Sequence, residues 1–469
     1  MYLLYKKGIT FYYHRQHVSV SSLLKIQQNN TKTNRDEEHM DELILTNGTV
    51  ITMDREQPRA EAIVLSEGRI SFVGSTKDAG EKISSKGVKA IDLKGKTVIP
   101  GFNDNHLHTI PFGHHLSVPD LSGLDQDQII DTVKDYYHDA QPGELILAYR
   151  WDYTNCAHPH KSVLDKAFPD NPVILVQFSG HGLWLNSPAM KKMGISNNSG
   201  DVPGRTVLRD EHGEPTGIIR EMSINKYIAK HFKKINNNKK RAIPFIVQSM
   251  NTFNRYGITS VQDNTWFFRT AKTLKRLLAE DRLTCRFSCW AYGEKPLSSL
   301  MLRLRSSAPL WVTIGPDKFF LDGTFSARSA WLTEPYENDP GNYGSGRTCE
   351  QIISLLRPVV KQRRQAAFHA IGDRAVKEFI DAVEQLSATY PYIPELRLRL
   401  EHAQLIREED IPRIRDLGIL VASQPSALED PLKDAGLLGE QRALNAYPYR
   451  SLLNAGIELS FGDRKSTRL

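Results

Sequence analysis

The chain has 469 residues, 40% of them apolar and 25% charged, which gives material for a sizeable core and excludes a disordered or fibrous protein. Its formal net charge of +7 arises from 61 basic residues interleaved with 54 acidic ones, without a basic stripe carrying aromatics, so no nucleic-acid partner is expected. No run of about eighteen apolar residues occurs, so no membrane partner is expected. Four scattered cysteines, Cys156, Cys285, Cys289 and Cys349, fit a reducing, cytoplasmic compartment with neither a disulfide framework nor a cysteine-based zinc site.

Residues 1–40 open on Tyr2-Leu3-Leu4-Tyr5-Lys6-Lys7 with no continuous apolar segment behind it, and Gln27 to Glu38 is polar. This reads as a disordered or non-native extension rather than a secretory leader, with Met40 a candidate start. From residue 41 to 96 the pattern is β. Leu43-Ile44-Leu45 and Val50-Ile51-Thr52-Met53 flank Asn47-Gly48, and Ala62 to Leu65 and Arg69 to Gly74 flank Glu67-Gly68, so two hairpins are expected. Ala90-Ile91-Asp92-Leu93 adds another strand, and short strands with turns this close predict a small β-sandwich.

Thr97-Val98-Ile99-Pro100 then leads into Gly101-Phe102-Asn103-Asp104-Asn105-His106-Leu107-His108. Side chains alternate along a strand, so His106 and His108 point the same way, and two imidazoles at a strand end can hold a divalent metal. A pair of surface histidines in a loop is the competing reading of that short motif.

Beyond His108 strands alternate with helices. Strands are expected near 258, 286, 318, 366, 396, 420 and 457, with helices over 266–280, from Thr348 to an early end or kink at Pro358, over 373–386 and over 442–454. With the strand at His106 they make eight, which predicts an α/β fold of TIM type, a (β/α)8 barrel over 97–463. Residues 109–256 remain as one long insertion after the first strand, with a strand of its own at Pro172 to Gln177 and too long for a structureless loop.

Barrel sites lie at the C-terminal ends of strands. His106 and His108 end the first strand, His369 the fifth and His402 the sixth; Lys318 sits in the fourth and Asp463 follows the eighth. His114, His115, His158 and His160 read as solvated loop residues or neighbours of ligands rather than ligands, and Arg220-Glu221 as a charge pair opening a helix.

These segments resemble the amidohydrolase superfamily in its YtcJ-like branch, which includes N-substituted formamide deformylase. The matching stretches are Pro100 to His108, Gly180 to Ser187, Gly213 to Gly217, Gly257 to Asp263, Lys318 to Gly323, His369 to Ala375 and Glu401 to Gln404, together spanning about 41–462. The resemblance implies a metal-dependent hydrolase of a non-peptide amide-type C–N bond, acting on a small-molecule amide through a metal-activated hydroxide. One divalent metal, zinc or similar, would take His106, His108 and Asp463, and a second His369 and His402. Lys318 would be the carbamylated lysine bridging both; a single metal, and a plain salt-bridge role for Lys318, stay open. Asp463 would be the catalytic base and then acid. His181, Trp184 and Trp151, with Asp152, would face the substrate, ordinary packing being the equal alternative for His181 and Trp184. A homodimer is an expectation with no residue of its own behind it.

The chain reads Ser460-Phe461-Gly462-Asp463, where relatives run Phe-Gly-Ser-Asp and continue, and it stops at Leu469. A C-terminal truncation with a non-native tail over 464–469 is therefore expected, and Asp463 would stand one residue out of register. The alternative function is an inactive fragment or a non-enzymatic interaction protein on the same fold.

Overall fold

Runs of β-branched and aromatic residues separated by Gly, Asn and Asp turns build most of the strands. In the computed structural model the described residues are 42–66, 68–82, 88–178, 182–197, 206–220, 238–264, 268–295, 310–326, 328–425 and 431–462, with strands at 2–6 and 9–13 and the single positions 233 and 235. The chain divides into two compact units. One comprises residues 1–103, 250–261 and 281–287, and the other 104–249, 262–280 and 288–469.

In the first unit a four-stranded sheet, ordered 69–74, 62–66, 43–46 and 89–92, faces a three-stranded sheet ordered 59–60, 49–51 and 97–98. Leu45, Val50, Ile63, Leu65, Leu93 and Val98 form the core between them, as the expected sandwich requires. The strands Ala62–Ser66 and Arg69–Gly74 pair antiparallel as expected, but the hairpin at Asn47-Gly48 does not form. Leu43–Thr46 pairs with the strands at 62–66 and 89–92, whereas Thr49–Ile51 pairs with those at 59–60 and 97–98. A two-residue type I′ turn needs positive φ at both positions, and only Asn47 has it, at 57°. Gly48 instead carries the chain from one sheet to the other, so close to the 93–96 turn that a Cβ there would lie 2.6 Å from the Lys96 carbonyl oxygen. In the N-terminal extension Tyr2–Lys6 and Ile9–Tyr13 pair as antiparallel strands, and the rest of residues 1–40 lies outside the described residues.

Eight strands form one sheet in sequence order: β1 (Phe102–Leu107), β2 (Ile258–Asp263), β3 (Arg286–Tyr292), β4 (Val312–Phe320), β5 (Ala366–Ala370), β6 (Arg399–His402), β7 (Leu420–Ser423) and β8 (Leu459–Phe461). From β4 to β8 each neighbouring pair is parallel. This nearly closed parallel barrel with its helices is the TIM-type fold expected from the strand count. The C-terminal ends of all eight strands fall in the second unit.

Three local expectations change. The helix Cys349–Lys361 runs through Pro358, which sits close enough to its end for little of the helix to follow it. The strand expected from Leu396 starts at Arg399, because Ile393–Leu396 is a 3-10 turn and Arg397 takes a left-handed φ of 52°. The helix expected over 442–454 is two short ones, Glu440–Leu444 and Tyr449–Asn454, broken before Pro448, which disfavours helical geometry at the residue preceding it. There Tyr447 has φ 55°.

The insertion builds a sheet and apolar clusters of its own. Its five-stranded sheet runs 146–151, 173–177, 182–185, 215–220 and 206–209. One apolar cluster includes Ile129, Val133, Leu164 and Leu175, and a second includes Leu147, Ile174, Leu183 and Met190. Arg220 ends a strand there instead of opening a helix; Glu221 lies outside the described residues.

Candidate metal centre

The end of β1 sets the site. His106 is its penultimate residue, and His108 follows as the residue before the helix Thr109–His115. Their ring centroids are 5.8 Å apart. The His106 ring lies 5.0 Å from that of His402 at the end of β6, which lies 4.6 Å from that of His369 in β5. Four imidazoles from three strand ends thus form one continuous run, and His106, His369 and His402 are buried.

Each imidazole is held on one nitrogen by an oxygen. His106 Nδ1 meets Glu401 Oε2 at 2.6 Å, His108 Nδ1 meets the Asn264 carbonyl at 3.2 Å, and His369 Nε2 meets the Gly323 carbonyl at 2.9 Å. His402 Nδ1 pairs with the Gln424 side-chain oxygen. Carboxylates and carbonyls only accept, so the ring proton belongs on the tethered nitrogen and the lone pair on the other. That is how neutral imidazoles are prepared as ligands, with a hydrogen-bond partner behind each ring fixing tautomer and orientation.

The β6 backbone makes part of this possible. Successive side chains of a strand face opposite ways, yet Glu401 and His402 both reach His106. His402 and Ala403 take φ values of 75° and 44°, a left-handed stretch rare for residues other than glycine. It turns the His402 ring back toward the interior that Glu401 already faces.

Lys318 lies within β4, fully buried, its Nζ 5.0 Å from the centroid of the Phe320 ring. Phe320 is level with His369 across the ladder, their rings 5.4 Å apart. Beyond it, the Asp322 carboxylate accepts from the backbone N–H groups of Ile371, Gly372 and Trp331 at 3.0, 2.8 and 3.1 Å. Burial outweighs those donors and pushes the Asp322 carboxyl up to about 7, with nearby Asp373 adding a small like-charge contribution. Asp322 Oδ1 is 3.6 Å from His369 Nε2.

Asp463 and His181 lie outside the described residues. Trp151 and Trp184 do not join the imidazole cluster. Both are fully buried in the insertion core, rings edge to face at 5.8 Å, and Trp151 Nε1 donates to the Leu175 carbonyl at 2.9 Å. Their surroundings are those of packing residues, because their large apolar faces complete the insertion's sheet core. His114 and His115 are buried around Tyr149, ring distances 5.9 and 5.0 Å, rather than solvated. His158 is exposed, and His160 caps the helix Lys161–Ala167.

Glu401, Gln424, Asn264, Gly323, Asp322 and Trp290 are absent from the sequence-derived site. A signal existed for Glu401: the alternation of Arg399 and Glu401 marks a polar strand face, and in a barrel that face is the interior. The partners of the other rings come from distant segments and carry no spacing signal.

In ligand type the set suits a divalent ion, neutral imidazoles with an oxygen donor to complete them. Among the described residues no three His, Cys, Asp or Glu side chains are gathered into a metal-holding group. The oxygen donors implied for the site are Asp463 and a carboxylated Lys318, the first outside the described residues and the second a modification beyond the encoded side chain. No helix among the described residues is long and apolar enough to cross a membrane.

Comparison with known proteins matches the amidohydrolase family over residues 89–463. Protein LONG AFTER FAR-RED 3 of Arabidopsis thaliana is 30% identical over 90% of this chain and 74% of its own length. Putative amidohydrolase YtcJ of Bacillus subtilis is 28% identical over 87% and 78%, and N-substituted formamide deformylase of Arthrobacter pascens 25% over 90% and 80%. The crystal structure of an uncharacterized metal-dependent hydrolase from Pyrococcus furiosus is similar with a TM-score of 0.69 and 27% identity, covering 90% of this chain and 85% of that one. The chain belongs to the amidohydrolase family and is a YtcJ-like member of it.

Proposed function

We propose that the protein hydrolyses a non-peptide amide-type C–N bond of a small molecule, with His106, His108, His369 and His402 as metal ligands. Lys318, carboxylated, would add anionic oxygens, and Asp463 would be the acid–base carboxylate. The observation that carries this reading is the run of four imidazoles, each tethered on one nitrogen by an acceptor. When bound, a divalent cation such as zinc supplies a lowered pKa for water and a Lewis acid for the substrate carbonyl.

The chain's own residues do the rest. The oxygens of Glu401, Asn264, Gly323 and Gln424 hold the imidazoles in orientation and fix which ring nitrogen carries the proton. An ammonium offers only donors, so Lys318 enters the ligand set only after carboxylation gives it acceptor oxygens. Trp290, buried against His106 with ring centroids 5.3 Å apart, and Phe320, beside His369, keep bulk water from the rings. Asp463, next in sequence after Gly462 at the end of β8, takes a proton from the attacking water and returns it to the leaving amine. The similarity to N-substituted formamide deformylase supports a formamide or other N-acyl compound as substrate class.

The test is metal analysis of the purified chain with hydrolysis assays on N-substituted formamides and N-acyl amines. About one or two equivalents of a divalent metal, removed by chelator together with activity, are expected. A metal-free chain inert toward every such amide would overturn the reading in favour of an interaction protein on this fold.

A further inference from the structure

We infer that Glu401 is the positioning residue for the β1 half of the site: paired with Arg399, it fixes His106 as the Nδ1–H tautomer and ties that half to β6.

The assembly is closed on every side. Arg399 Nε donates to Glu401 Oε1 at 2.8 Å, and an Arg399 terminal nitrogen donates to the Asn105 carbonyl of β1 at 3.1 Å. The guanidinium carbon lies 4.6 Å from the centroid of the Trp290 ring, and Trp290 Nε1 donates to Gln262 Oε1 at 3.2 Å. Glu401 Oε2 takes the remaining place, on His106 Nδ1. Glu401 is 0% exposed and His106 1%. A carboxylate buried this far needs a counter-charge and partners for both oxygens, and Arg399 and His106 supply them.

β1 and β6 are not neighbours in the sheet, so the clamp spans the barrel interior. It has two points: Arg399 on the β1 backbone and Glu401 on the β1 imidazole. One residue later His402 takes its place beside His106 and His369. Strand β6 therefore contributes one residue to the run of imidazoles and one that orients another strand's ring. With the proton on Nδ1, the His106 lone pair sits at Nε2, on the side of the ring away from Glu401.

What His106 then does with that lone pair rests on the metal-site reading, but the tautomer belongs to the metal-free chain. The experiment uses the full chain, labelled with 15N at histidine and treated with chelator, and long-range 1H–15N correlation spectra. His106 signals are assigned by their loss in His106→Asn, and folding of each variant is checked by circular dichroism. His106 is expected as Nδ1–H in the wild type, with that preference lost in Glu401→Ala and weakened in Glu401→Gln, whose amide can present either an acceptor or a donor. Glu401→Gln carries the test alone should Glu401→Ala fail to fold. In parallel, zinc retention against graded chelator should weaken by about 10–100-fold in Glu401→Ala, the usual effect of removing a ligand's hydrogen-bond partner. A wild-type His106 in the Nε2–H form, or Glu401 variants with unchanged tautomer and zinc retention, would overturn the role. If the wild type binds no zinc, the metal reading falls while the tautomer spectra still decide for or against Glu401.

Discussion

Asp322 and Gly372 are joined by a 2.8 Å hydrogen bond in which the carboxylate accepts the backbone N–H. The bond ties the loop leaving β4 to the loop leaving β5, and the Ile371 and Trp331 N–H groups reinforce it. Burial raises the Asp322 carboxyl to about 7 from an ordinary 3.8. The folded state therefore holds this proton more tightly than the unfolded one, so the stabilisation from Asp322 is full below about pH 4 and declines as pH rises to about 7. In Asp322→Asn that titration is gone. Urea unfolding from pH 4 to 7 should show wild-type stability falling relative to the variant; a difference constant with pH would refute the shift.

Gly462 follows β8 in a space with no room for a side chain. A Cβ there would lie 2.5 Å from Asp104 Oδ1 and 2.9 Å from the backbone nitrogen of His106, and nearer still to Asn105 Oδ1. Asn105 Nδ2 also donates to Ser460 Oγ at 2.7 Å, so β1 and β8 meet through side chains here. Gly462→Ala should cost about 1–3 kcal/mol of stability, the usual range for overpacking. It should also weaken zinc retention, because the displaced atoms adjoin His106. Denaturant titration together with metal analysis checks both, and a variant as stable as wild type would count against this approach.

Gln424, from the end of β7, holds His402 Nδ1. Gln424→Leu keeps the volume but leaves a buried ring donor without its acceptor, a cost of about 1–3 kcal/mol. Zinc affinity should fall about 10–100-fold if His402 is a ligand. Isothermal titration of zinc into the metal-free variant measures it, and unchanged affinity would remove His402 from the ligand set.

The packing of Trp184 against Trp151 makes a separable prediction. Trp184→Ala should lower stability by about 3–5 kcal/mol, as for other large-to-small changes in cores. Trp184→Phe should recover most of that loss. Thermal unfolding reports it, and a Trp184→Ala chain that melts like wild type but turns over substrate differently would return Trp184 to the pocket wall.

All four cysteines are buried as thiols. Burial pushes Cys156 up to about 11 and Cys285 to about 12, and raises Cys349 as well. Thiolate is the reactive form, so its fraction at pH 8 is small at these positions and access is poor besides. A disulfide reagent should label the native chain slowly at pH 8 and all four cysteines after guanidinium is added. Rapid native labelling of Cys285 would show that the segment leading into β3 opens.

The eight barrel strands and their order were legible because strand and helix periodicities are local, and because βα units repeat along the chain. The run of four imidazoles was legible for the same reason: once the strands are counted, His106 and His108 fall at the end of β1, His369 at that of β5 and His402 at that of β6. Local periodicity could not tell whether Leu43–Thr46 pairs with the strand beyond Asn47-Gly48, since pairing depends on a turn's φ angles and on what lies above it. Nor could it reveal that Glu401 and His402 face the same interior, because that needs the left-handed backbone at His402 and Ala403. Trp151 and Trp184 show the opposite limit. As residues they suit a pocket wall and a core alike, and only the fold shows that both are buried in the insertion. The sequence by itself thus determined which imidazoles are available and at which strand ends. Tertiary structure alone decided which oxygen holds each ring, since those partners, Glu401 for His106 above all, lie far along the chain and meet only when the strands close around one interior.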